Sequence, residues 1–141
     1  MNKPESICVS LDTAKRLKEA GFDKETVFVW RTINVYSSNE SIKKISECCF
    51  LSLANDAENS CHLTEMTPIP APTSSEITLP KNIENYDILY CLDFFVGFND
   101  HKFIVRYRNP CNDDVWLETK STSEAEARAE IWLLLKDKGL I

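Results

Sequence analysis

The sequence predicts an α+β fold: an antiparallel β-meander packed against an N-terminal and a C-terminal helix. Three observations carry this. A capped amphipathic segment lies near the start, three apolar runs separated by turn-forming residues occupy 86–120, and a second capped segment ends at Gly139. The 141 residues match the usual size of one domain, read here as 1–141, with 43% hydrophobic and 27% charged residues in the range of a folding chain.

The first helix is read over Leu11–Ala20. Ser10 supplies an oxygen for an N–H left free in the first turn, and Gly21 ends the helix. Leu11, Ala14 and Leu17 make its narrow apolar face, with Phe22 placed to close on Leu17. Residues 27–36, VFVWRTINVY, read as a strand from their β-branched and aromatic content and alternation. In 41–63 the spacing of Ile42, Ile45, Cys49 and Leu53 fits a helix while ECCFLSL fits a buried strand, and both readings stay open.

Four of the six prolines fall between Thr64 and Asn82. Each removes a backbone donor, so this stretch is expected to be a surface connection outside any sheet ladder. Thr73 and Glu76 form a capping-box pattern for one short helical turn within it. The strands of the meander follow at 86–96, 102–108 and 115–120, joined by GFNDH and NPCNDD, whose Gly, Asn, Asp and Pro suit hairpin loops. The first of these strands is apolar on both faces and is expected to be central. Ser123 and Glu126 open the last helix, which runs to Lys138, with Leu140 placed to close on Leu135. Ala127, Ile131, Leu134 and Leu135 are expected to pack on the meander. The run Ile131–Leu135 spans too wide an arc for one sheet, so Trp132 is expected to meet the first helix or a partner.

Charge and motifs narrow the function classes. The net charge is −6, with eight basic and ten acidic residues in 1–66 and eight and twelve in 67–141. The basic residues are scattered, so no nucleic-acid partner is expected. The N-terminal segment lacks the pattern of a signal peptide and the longest apolar run falls short of a membrane span, so the expectation is a cytoplasmic protein with no membrane partner. Cysteines 8, 48, 49, 61, 91 and 111 are then expected to be reduced thiols.

Cys48, Cys49, Cys61 and His62 are the one cluster resembling metal ligands, but adjacent residues diverge and lack the usual zinc spacing, so no metal is assigned. His101 sits in a turn beside Asp100, and no Cys–His pair is singled out as a nucleophile with its base. Asp113 and Asp114 belong to a turn. Glu124, Glu126 and Glu130 belong to a helix start and its exposed face, where acidic groups favour the dipole. Asp93, alone in an apolar strand, is the carboxylate that stands out, and Arg106 and Arg108 flank Tyr107 on one strand as a solvated basic face. Gly21, Gly97 and Gly139 are too far apart for a phosphate loop. No catalytic, cofactor-binding or metal residue is assigned, and no cofactor is expected.

The helix LDTAKRLKEAGF, the segment IPAPTSSE at 69–76 and the ending TSEAEARAEIWLLLKDKGLI resemble, in order and spacing, small proteins of unassigned activity encoded in phages, prophages and other mobile elements of Bacteroides-type gut bacteria. The ending is the most specific part. The chain departs from that pattern between Val27 and Leu63 and after Glu76, where Pro80 shortens the usual helix. The resemblance implies an accessory protein that binds a host or phage protein, with self-association through the C-terminal helix as a further expectation, and it brings no catalytic residues. The alternative is a small-ligand-binding protein or minor enzyme using the mouth of the sheet, with Asp93 or the Cys61–His62 pair as polar groups. A third reading, an acidic inhibitor of a nucleic-acid-binding protein, lacks a concentrated carboxylate stripe.

Overall fold

The computed structural model describes residues 7–36, 44–54, 64–65 and 68–141, with side chains described for 7–31, 50–54 and 68–141. Helix α1 spans Leu11–Glu19. Ser10 caps it by accepting from the Thr13 N–H, and Gly21 at φ 95° ends it, with the Phe22 N–H donating to Leu17 O at 2.9 Å. This is the stop read from the sequence, with a glycine where a side chain would be strained.

Strands β1 (Phe28–Tyr36) and β2 (Lys44–Leu53) pair antiparallel, which resolves the open reading of that segment in favour of a strand as far as it is described. The other edge of β1 takes two short strands, β3 (Thr64–Glu65) and β4 (Ile69–Pro70), both antiparallel. Among the described residues a second sheet has the order β5 (Asn82–Asn85), β6 (Ile88–Val96), β7 (Phe103–Arg108), β8 (Val115–Ser121), all antiparallel. Helix α2 (Glu124–Asp137) packs on β7 and β8. The meander and its covering helix are therefore as expected, and the fold is α+β.

The proline-rich stretch departs from the expectation. It is not a surface connection: Ala71, Pro72, Ile77 and Leu79 are buried, and Pro70 pairs with Val29. The prolines lack donors but keep their carbonyls, and two of these carbonyls accept from distant residues. Pro72 O accepts from the Val9 N–H at 3.1 Å and Pro80 O from the Tyr107 hydroxyl at 2.7 Å. A ring with no N–H to satisfy is easily buried once its carbonyl has a partner. Ser74–Glu76 form the single 3₁₀ turn that the Thr73–Glu76 motif predicts.

The meander's first strand starts at Ile88, two residues later than read, because Tyr86 and Asp87 make a two-residue hairpin turn with β5 at φ 50° and 63°. Positive φ at both positions is the type I′ geometry, here without the usual Asn-Gly signature. Strand β6 is central as expected, but its faces are not both covered, and Ile88, Leu89, Phe94 and Val96 remain exposed.

One cluster of buried side chains joins α1, the proline-rich stretch, the inner face of the second sheet and α2. Val9, Leu17, Ile77, Val105, Tyr107, Ile131 and Leu135 lie at its centre, and Trp30 and Ile69 of the first sheet pack against it. Ala127, Ile131 and Leu135 face inward as expected. Leu134 does not: it is 37% exposed, while Ala125 and Ala129 are buried in its place. Alanines at those positions let the helix approach its neighbours closely, which turns its buried arc away from Leu134. Trp132 meets Phe22, just past α1, edge to face with centroids 5.5 Å apart. The helix ends at Gly139, φ 71°, with the Leu140 N–H donating to Leu135 O at 3.0 Å.

Candidate functional site

The residues singled out from the sequence do not assemble into one site. Cys61 and His62 lie outside the described residues, and Cys48 and Cys49 are placed only as backbone of β2. Cys8 is buried, Cys91 half-buried and Cys111 exposed. Among the described residues no three His, Cys, Asp or Glu side chains gather as a metal would require. His101 is an exposed turn residue at φ 54° whose N–H donates to Gly97 O. A Cβ at Gly97 would stand 2.5 Å from Asp100 Oδ1, so a side chain there would require the Asp100 carboxylate to shift.

Asp93 is not isolated but paired across the sheet. Arg106 lies opposite it on β7, and Arg106 Nε donates to Asp93 Oδ2 at 3.1 Å. Arg108 Nε is 3.4 Å from the same oxygen, and Arg108 Nη1 donates to Asp113 Oδ1. Hydrogen bonding to Asp113, followed by the fields of Asp113 and Asp93, holds the Arg108 guanidinium further into its charged range. The Arg106 guanidinium also sits over the Phe95 ring, 4.6 Å from its centroid. Alternation thus places both arginines on the outer face and Tyr107 on the inner one, where burial pushes its phenol up to about 12. The outer face is a ladder of paired charges.

The helix glutamates need a correction. The sequence reads Glu126 as closing the capping box at the start of α2 and Glu130 as lying on its exposed face, yet both reach α1. Glu126 accepts from the Ser10 N–H with one oxygen and from Thr13 Oγ1 at 2.6 Å with the other. Ser123 still caps α2 by accepting from the Glu126 N–H at 3.3 Å, so only half of the capping box forms. The glutamate supplies a cap to the neighbouring helix, whose free N-terminal N–H groups and positive end attract a carboxylate. Glu130 pairs with Arg16, whose guanidinium it holds further into the charged range. Glu124 alone stays on its own helix, beside Arg128.

A surface not foreseen from the sequence lies where β1 begins. An open groove of about 760 Å³ is lined by the loop Asp23–Val27 together with Val29, Leu53, Ala54 and Pro70. Three local features build it. The Ala54 N–H donates to Val27 O at 2.9 Å, holding the end of β2 beside the start of β1. Pro70 pairs with Val29 on the other side. Glu76 accepts from the Val27 N–H at 2.9 Å and ties the loop to the 3₁₀ turn. Val27 is 56% and Leu53 46% exposed. At the rim the Lys24 ammonium is engaged by Thr78 Oγ1 at 2.6 Å, whereas Asp23 and Glu25 make no hydrogen bond or ion pair among the described residues. Among the described residues the groove offers an apolar floor and two unpaired carboxylates, with no histidine, cysteine or glycine in its lining.

Comparison with known families, with curated proteins and with solved structures finds no match for this chain. Among the described residues no helix is long and apolar enough to cross a membrane.

Proposed function

We propose that the chain is a cytoplasmic, non-catalytic protein-interaction module, an accessory protein of a phage, prophage or other mobile element, that holds a segment of a host or phage protein in the groove at the start of β1. The observation that carries this reading is the groove's combination of exposed aliphatic side chains, Val27 and Leu53, with the carboxylates of Asp23 and Glu25, unpaired among the described residues. Exposed apolar surface rimmed by polar groups marks an interaction site. Complementary charge then selects a partner segment carrying Lys or Arg beside a large apolar residue. The mobile-element context rests on the resemblance of the sequence, above all of its ending. The small-ligand alternative draws less support, because small-molecule sites enclose most of their ligand and this groove is not an enclosed cavity.

The test uses the tagged chain as bait in a Bacteroides lysate, beside the variant Asp23→Lys/Glu25→Lys. Both positions are exposed, so the variant should fold normally. A protein retained by the wild type and lost by the variant is the expected result. Equal retention by both, or retention of nothing combined with a thermal shift by a metabolite, rejects the reading.

A further inference from the structure

We infer that the free edge of β8 is a self-association surface, along which a second copy of the chain lays its own β8 antiparallel and joins the two four-stranded sheets into one. The two edges of the second sheet are built differently. Strand β5 is four residues long, follows Pro80 and Lys81, and carries Asn82, Glu84 and Asn85, the short polar design that protects a sheet edge. Strand β8 runs for seven residues without a proline and pairs with β7 on one side. On its other side no backbone hydrogen bond is made among the described residues.

Charge selects the register. Glu118 and Lys120 are both exposed, on the outer face opposite Arg106 and Ile104. In an antiparallel pair centred on Thr119, Glu118 stands opposite Lys120 of the second copy, and Lys120 opposite its Glu118. Centring on Glu118 or on Lys120 instead sets like charge against like. Opposed unlike charges support a cross-strand pair and like charges weaken it, so the Thr119-centred register is favoured. Lys120 is already held by Asp100 at 2.5 Å, which engages one of the three ammonium donors and leaves the others for the second copy. This surface is separate from the groove at β1, and the inference does not depend on the function proposed for that groove.

The test is sedimentation velocity of the full chain and two variants. Wild type should show a dimer whose share rises with concentration. Glu118→Lys and Lys120→Glu should each be monomeric alone, because each sets like charges across the seam. An equimolar mixture of the two variants should recover the dimer, since one chain then carries lysine at both facing positions and the other carries glutamate at both. Circular dichroism checks that both variants fold. Hydrogen exchange of wild type gives an independent reading, with β8 amides gaining protection as concentration rises. A wild type that stays monomeric, single variants that dimerise as wild type does, a mixture that stays monomeric, or β8 protection that ignores concentration each overturns the inference.

Discussion

Strand β7 presents two opposite kinds of surface to the two faces of its sheet. Val105 and Tyr107 point inward, where they are buried in the cluster with Ile131 and Leu135 of α2. Arg106 and Arg108 point outward, half-exposed, and are held by Asp93 and Asp113. The inner face removes apolar area from water and supplies stability. On the outer face Arg106 and Arg108 pair with Asp93 and Asp113, and pairs of this exposure contribute little each. A carboxylate in an apolar strand is therefore explained by the arginines one strand away, whereas the groove at β1 sets carboxylates that are unpaired among the described residues beside exposed aliphatic side chains.

The contrast can be broken from its strong side first. Ile131→Ala empties a fully buried site under α2 and should cost about 2–5 kcal/mol in chemical denaturation. A cost below about 1 kcal/mol would place the stability elsewhere. Glu126→Ala removes the carboxylate that caps α1 and should cost about 1–2 kcal/mol, with loss of helix signal near Ser10 and Thr13 in hydrogen exchange.

Tyr107→Phe sharpens the picture of the inner face. Losing the hydroxyl's bond to Pro80 O should cost about 1 kcal/mol at neutral pH. Because burial raises the folded-state phenol from 10.0 to about 12, the neutral form is favoured by folding. Its contribution is complete below pH 10 and is lost as pH rises through 10 toward 12. Denaturation across that window should show a decline in wild type that is smaller in Tyr107→Phe. The smallest effect belongs to the outer face: Asp93→Asn should cost less than about 1 kcal/mol, and less still at high salt.

What was legible in the sequence was local. Ser10, Gly21, Ser123 and Gly139 mark helix ends because capping and left-handed backbone act over a few residues. The meander strands read from their composition and their loops. What was not legible depends on partners distant in the chain. Ser-x-x-Glu reads the same whether Glu126 caps its own helix or α1. A proline marks a missing donor but says nothing of what its carbonyl meets, so the burial of Ala71–Pro72 was missed. Strand β5 was missed because Tyr86–Asp87 turns without glycine. The groove joins a loop near residue 25, the end of β2 and a proline at 70, and no motif at any of the three announces the other two.

The central claim, that the groove binds a partner while the ionic face does not, is tested most directly by quantitative capture with wild type, Asp23→Lys/Glu25→Lys and Asp93→Asn at matched bait concentrations. The account predicts that Asp93→Asn retains the partner at the wild-type level and that the groove variant loses it. Loss with Asp93→Asn and retention by the groove variant would contradict the account and move the binding surface to the outer face of the second sheet.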